Sequence, residues 1–156
     1  MAPRAPSRQM DLLAWQPPEP VRKFEEPRVR ATSFRERMTR AVAACLHDAD
    51  DAGRTREEIA GAMSEFLGER VTLNMLNAYA SQAREAHSIP VARLVALLHA
   101  TRDQRLLELL AEPMGWAVVD RKFLPLIELG ALREHAAQIE RRAKELAHQV
   151  ARDGVV

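Results

Sequence analysis

Between positions 72 and 84, Thr72, Asn74, Asn77, Ser81 and Arg84 recur on one side of a segment whose other side carries Leu73, Leu76, Ala80 and Ala83. At helical spacing these residues form two opposed faces. An Asn side chain holds a donor and an acceptor side by side and can pair bidentately with adenine. Arg can do the same with guanine, or can hold a phosphate. The polar face therefore has the chemistry to read base edges in a major groove. Thr55, Arg56 and Arg70 lie close by in sequence, and with backbone N–H groups at helix N-termini they could hold phosphates.

Other chemistry finds little footing. The five histidines (His47, His87, His99, His135, His148) show no metal-ligand spacing, and the six glycines are too scattered for a phosphate loop. No nucleophile elbow or distinctive carboxylate pair is present, so an enzyme is not expected, nor is a metal or a cofactor. Cys45 is the one cysteine and lies on an apolar stripe, which predicts a buried, inert thiol. No window approaches the roughly 18 apolar residues of a membrane span, and no apolar core follows Arg4 and Arg8 to make a signal peptide. A bacterial-type cytoplasmic setting without membrane association is expected.

The elements that must position these side chains are helical. Apolar residues make up 47% of the chain, charged residues 29% and aromatics only 4%, and the abundant Ala, Leu, Arg and Glu favour helix over strand. Residues 1–31 read as a proline-rich basic arm, because Pro3, Pro6, Pro17, Pro18, Pro20 and Pro27 forbid a long helix. The arm is either disordered or docked, and Leu12, Leu13 and Trp15 form an apolar knot within it suited to a partner groove. Residues 1–40 carry 9 Lys and Arg against 5 Asp and Glu, whereas residues 41–90 carry 4 against 8. Cations for a DNA backbone must then come in part from the arm, through Arg22, Lys23, Arg28 and Arg30.

Residues 32–119 read as a five-helix domain. A stripe of Phe34, Met38, Ala41, Val42, Cys45 and Leu46 marks a first helix over 33–49, with Ser33 and Glu36 as a capping box. Thr55 and Glu58 form a second box, opening a helix whose buried side is Ile59, Ala62, Met63, Phe66 and Leu67 and which Gly68 ends. A third helix is expected over 72–84. A fourth follows Pro90 with Val91, Leu94, Val95 and Leu98 inward, and Asp103 caps a fifth carrying Leu106, Leu107, Leu109 and Leu110. Residues 120–156 read as a long helix with a seven-residue repeat. Leu129, Ala136, Ala143 and Val150 fill one column, and Leu132, Ile139 and Leu146 the other, as in the a/d seam of a coiled coil. Self-association, with Trp15 as a further contact, or folding back onto the domain would each cover this seam.

The run REEIAGAM, then LGERVTLNMLNAYAS, then REAHSIPVARLVALLHATRDQRLLELLAEPMGWAVV resembles the lambda-repressor-like helix-turn-helix of phage CII-type regulators. The whole chain resembles, more loosely, small early DNA-binding proteins of Mu-like transposable phages. The resemblance covers about residues 55–119 and implies a five-helix DNA-binding regulator that acts as an oligomer. Two features depart from it. Gly68 follows the small Ala60 by eight residues instead of the usual four, and Glu57, Glu58, Glu65, Glu69 and Glu85 crowd the motif. Three functions are therefore weighed: a transcriptional regulator of a phage or mobile element with residues 72–84 in the major groove, a low-specificity architectural or accessory protein of transposition or replication that oligomerises on double-stranded DNA, and a helical adaptor that contacts only protein.

Overall fold

The computed structural model describes residues 19–81, 88–152 and 154. As the composition predicts, the described residues are helical, with no strand among them. In chain order the helices are α1 (Glu26–Val29), α2 (Phe34–Asp51), α3 (Arg56–Leu67), α4 (Leu73–Tyr79), α5 (Val91–Thr101), α6 (Arg105–Ala111) and α7 (Leu124–Arg152), with single 3-10 turns at Glu112–Met114 and Arg121–Phe123. None is long and apolar enough to cross a membrane.

Local signals set most of the boundaries. Ser33 Oγ accepts the Glu36 N–H at the start of α2. The Glu36 carboxylate does not complete the expected box on Ser33 but reaches one residue further back, to the Thr32 N–H and hydroxyl. At α3 the box is complete: Thr55 Oγ1 accepts the Glu58 N–H, and the Glu58 carboxylate accepts the Thr55 N–H at 2.8 Å. Gly68 ends α3 in the left-handed region at φ +68°, where any other residue would crowd its own Cβ.

Leu46, Ile59, Met63, Leu76, Leu97 and Leu106 are fully enclosed and draw α2 to α6 around one core. Four residues expected on inner faces turn outward. On α5, Val91 and Val95 face solvent while Ala96, Leu97 and Ala100 are buried, because α5 lies along α3 and its alanines allow the backbones to approach closely. Phe66, expected inside, is instead half exposed and stacks on the His99 ring at 4.5 Å. Leu107 likewise points outward from α6. Cys45 is enclosed as expected, and burial pushes its thiol up to about 12.

The largest revision concerns the arm. Residues 1–18, and Trp15 with them, lie outside the described residues, but the rest of the arm is part of the domain. Phe24 and Val29 are buried in the common core, so packing begins well before Thr32. Pro27 sits in the first turn of α1, where its missing N–H is harmless. At the other end, every described side chain from Leu124 to Arg152 is exposed. The alternative in which α7 folds back onto its own domain is not what the structure adopts.

Candidate nucleic-acid interface

The α3–α4 connection is built around Ser64. Its hydroxyl donates to the Ala60 carbonyl at 2.7 Å and accepts the Val71 N–H at 2.9 Å, with the Val71 carbonyl a further 3.2 Å neighbour. One hydroxyl thus fixes the last turn of α3 to the residue preceding the α4 cap. Ser64 stands four residues before Gly68, so a small residue does occupy the usual spacing from the turn glycine. In the sequence Ser64 looks like a surface polar residue in a helix, and only its distance from Gly68 marks it. Ala60 is also buried, at 4% exposure.

Helix α4 is shorter than the 72–84 span expected, running seven residues to Tyr79. Thr72 is its N-cap, with its hydroxyl accepting the Met75 N–H at 3.2 Å. Leu76, Ala78 and Tyr79 are buried, leaving Asn74 and Asn77 as the exposed side chains of the helix itself. They lie at i and i+3, on one face. Ser81 is half-buried beyond the helix end, and Arg84 lies outside the described residues. The inner side is clamped by Arg93 of α5, whose guanidinium donates to the Tyr79 hydroxyl and to Glu69 Oε1 at 3.4 Å. Nothing in the sequence marks Arg93 for this role, because its partners lie 14 and 24 residues away.

The two asparagines differ. Asn74 has no hydrogen-bond partner among the described residues, whereas Asn77 Oδ1 accepts from Arg56 Nη1 at 2.6 Å. That bond links the start of α3 to α4 and occupies the acceptor Asn77 needs to pair with an adenine. Thr55 and the first turn of α3 are poorly disposed toward phosphate, since the Glu58 carboxylate already takes the Thr55 N–H and Glu57 adds a second negative charge. Arg70, between Gly68 and the α4 cap, is exposed and carries no hydrogen bond or ion pair among the described residues.

The arm cations divide in the same way. Lys23 Nζ lies 2.6 Å from Glu112 and 3.8 Å from the buried Glu108, and the hydrogen bond to Glu112 raises its pKa. Arg28 donates two bonds to Asp48, at 2.6 and 3.0 Å. These two side chains hold the arm against α2 and α6 and are not free for a DNA backbone, contrary to the sequence expectation. Arg22 and Arg30 remain exposed and without such partners among the described residues. Arg22 shares a polar hollow of about 260 Å³ with Arg54, Arg102 and Arg105, and Asp48 and Asp103, both paired with Arg105, complete its charged lining. Arg54 reaches the Ala100 carbonyl from the residue before Thr55. A second group of cations, missed in the sequence because its members are far apart along the chain, therefore adjoins the start of α3.

Asp48 organises this end of the molecule. Arg28 bonds it most strongly and Arg105 Nη2 adds a 2.8 Å contact, holding its carboxyl down at about 2. Arg105 is in turn gripped by Asp103, and its guanidinium lies 4.2 Å from the Phe24 ring centre. His47, Asp48 and Asp51 bring three potential metal-ligand atoms within 4.8 Å. Asp48 is already committed to the two arginines, so the cluster has the makings of an ion-pair node more than of a cation site. No family model, curated protein or solved structure matches the chain.

Proposed function

We propose that the chain is a DNA-binding protein acting as a transcriptional regulator, with α4 entering the major groove. The reading rests on one observation: α4 buries Leu76 and Tyr79 and exposes Asn74 and Asn77 side by side, on a helix whose approach is fixed by Ser64 and Gly68. Asn74 is the direct reader. Asn77 joins it once Arg56 turns from Asn77 toward a phosphate. Arg70 serves the backbone at one end of α4 and Arg56, which reaches Asn77, serves it at the other, with Arg22 and Arg30 as further exposed cations of the arm. Self-association through α7 would add the affinity that a two-asparagine helix among glutamates lacks. The setting, a phage or mobile element in a bacterial host, rests on the sequence resemblance alone.

Fluorescence anisotropy with promoter or element-end DNA against random duplex tests the proposal. A specific complex should lose about 1–3 kcal/mol of discrimination in Asn74→Ala, while Arg70→Ala should weaken all sequences alike and flatten the salt dependence. Equal affinity for every duplex would favour the architectural reading. No binding at low salt would overturn both. The adaptor reading then gains from one observation, the bare apolar seam of α7.

A further inference from the structure

Helix α7 offers more than an unpaired seam; its residues favour one way of covering it. We propose that α7 pairs with the α7 of a second copy of this chain in antiparallel orientation, with Ala136 packing on Ile139 and Ala143 on Leu132 across the seam. The proposal rests on the reading that α7 self-associates and specifies its direction.

Leu129, Leu132, Ile139, Leu146 and Val150 are all between 42% and 60% exposed and fall in two columns at seven-residue spacing, so an identical helix is the natural complement. The sizes of the seam residues then decide direction. In a parallel pair, equivalent residues meet. Ala136 would face Ala136 and Ala143 would face Ala143, directly beside the bulky Ile139, Leu132 and Leu146 layers. Helices cannot be close at one layer and distant at the next, so the alanine layers would forfeit their contacts. Reversing one helix sets Leu129 against Leu146, Leu132 against Ala143 and Ala136 against Ile139. Each alanine then meets a large side chain, and the spacing between helices stays even.

The flanking residues agree. Antiparallel pairing brings Arg133 opposite Glu140 of the second copy, twice by symmetry. It also sets the exposed Leu126, at 62%, beside Ala147. A parallel pair also matches charges, Glu128 with Arg133, so charge does not choose. Leu126 does, because in the parallel arrangement the position that would flank it is Arg121, which lies in the 3-10 turn ahead of α7 and gives it no helical cover. The 29 residues of α7 span about 43 Å, and the two domains would then attach at opposite ends of the rod.

Light scattering on the full chain, without DNA, should give twice the 17.6 kDa mass. Leu132→Cys and Ala143→Cys chains, unfolded, mixed, refolded together and oxidised, should form a disulfide that neither variant forms alone. With reductant present until refolding is complete, Cys45 is enclosed again before oxidation and stays out of the exchange. Cross-linking of Leu132→Cys with itself would establish a parallel pair and overturn the proposal. A mass of a single chain would overturn it together with the self-association it rests on, and a mass of four chains would overturn the two-helix form. Ile139→Asp should halve the mass while the far-UV signal of α2 to α6 persists, since α7 touches none of their core. A failed DNA-binding experiment leaves these outcomes unaffected, and the reverse holds too.

Discussion

Replacing Ser64 by Ala removes one oxygen and should loosen the presentation of α4. In the folded chain the Val71 N–H has the Ser64 hydroxyl as its acceptor, at 2.9 Å, and Val71 is only 5% exposed. Water cannot readily replace that acceptor, so the variant leaves a buried donor unpaired, at a loss of about 1–3 kcal/mol. Alanine's better helix propensity returns about 0.5 kcal/mol. The net destabilisation should be about 1–2 kcal/mol, lowering the midpoint of thermal unfolding by roughly 4–8 °C per kcal/mol for a domain of this size. Urea unfolding followed at 222 nm measures it directly, and Ser64→Thr, which keeps the hydroxyl, should recover most of the loss. Hydrogen exchange should locate the effect, with the Val71 amide slow in the parent and markedly faster in Ser64→Ala. A stability change below about 0.5 kcal/mol with an unchanged Val71 exchange rate would refute the role given to this hydroxyl.

Three further perturbations probe the rest of the framework. Asp48→Asn should destabilise by about 1–2 kcal/mol at pH 7 after allowing for partial exposure. The Asp48 carboxyl is depressed to about 2 in the fold, so its contribution is complete above the ordinary carboxylate value near 4. It should fade as pH falls toward 2, and urea midpoints for parent and variant should converge there. Phe24→Ala should cost about 3 kcal/mol if this arm residue is part of the core; a change within the experimental error of equilibrium unfolding would return it to the surface. Gly68→Ala forces a Cβ into the left-handed region at φ +68° and should cost about 1 kcal/mol, read from the same unfolding curves.

Much of the fold was legible because its signals are local. Ser33, Thr55 with Glu58, and Gly68 act through their own backbone neighbourhood, and a capping side chain needs nothing from the rest of the molecule. The seven-residue repeat of α7 was equally plain, since every described side chain of the helix is exposed and no packing alters its pattern. The candidate site was only partly readable. Asn74 and Asn77 could be placed on one face from spacing, but the helix carrying them ends at Tyr79, and the bond from Arg56 to Asn77 joins residues separated by 21 positions.

The sequence by itself determined that the chain is helical, where most helices begin, and that α7 carries a seam. Those properties follow from propensity, caps and periodicity within a few turns. Tertiary structure alone decided that Phe24 and Val29 enter the core, that α5 turns Val91 outward, and that Lys23 and Arg28 are held by Glu112 and Asp48. Each of those outcomes depends on which surfaces meet across long stretches of chain. A lysine or arginine looks the same in sequence whether it awaits a phosphate or already holds a carboxylate.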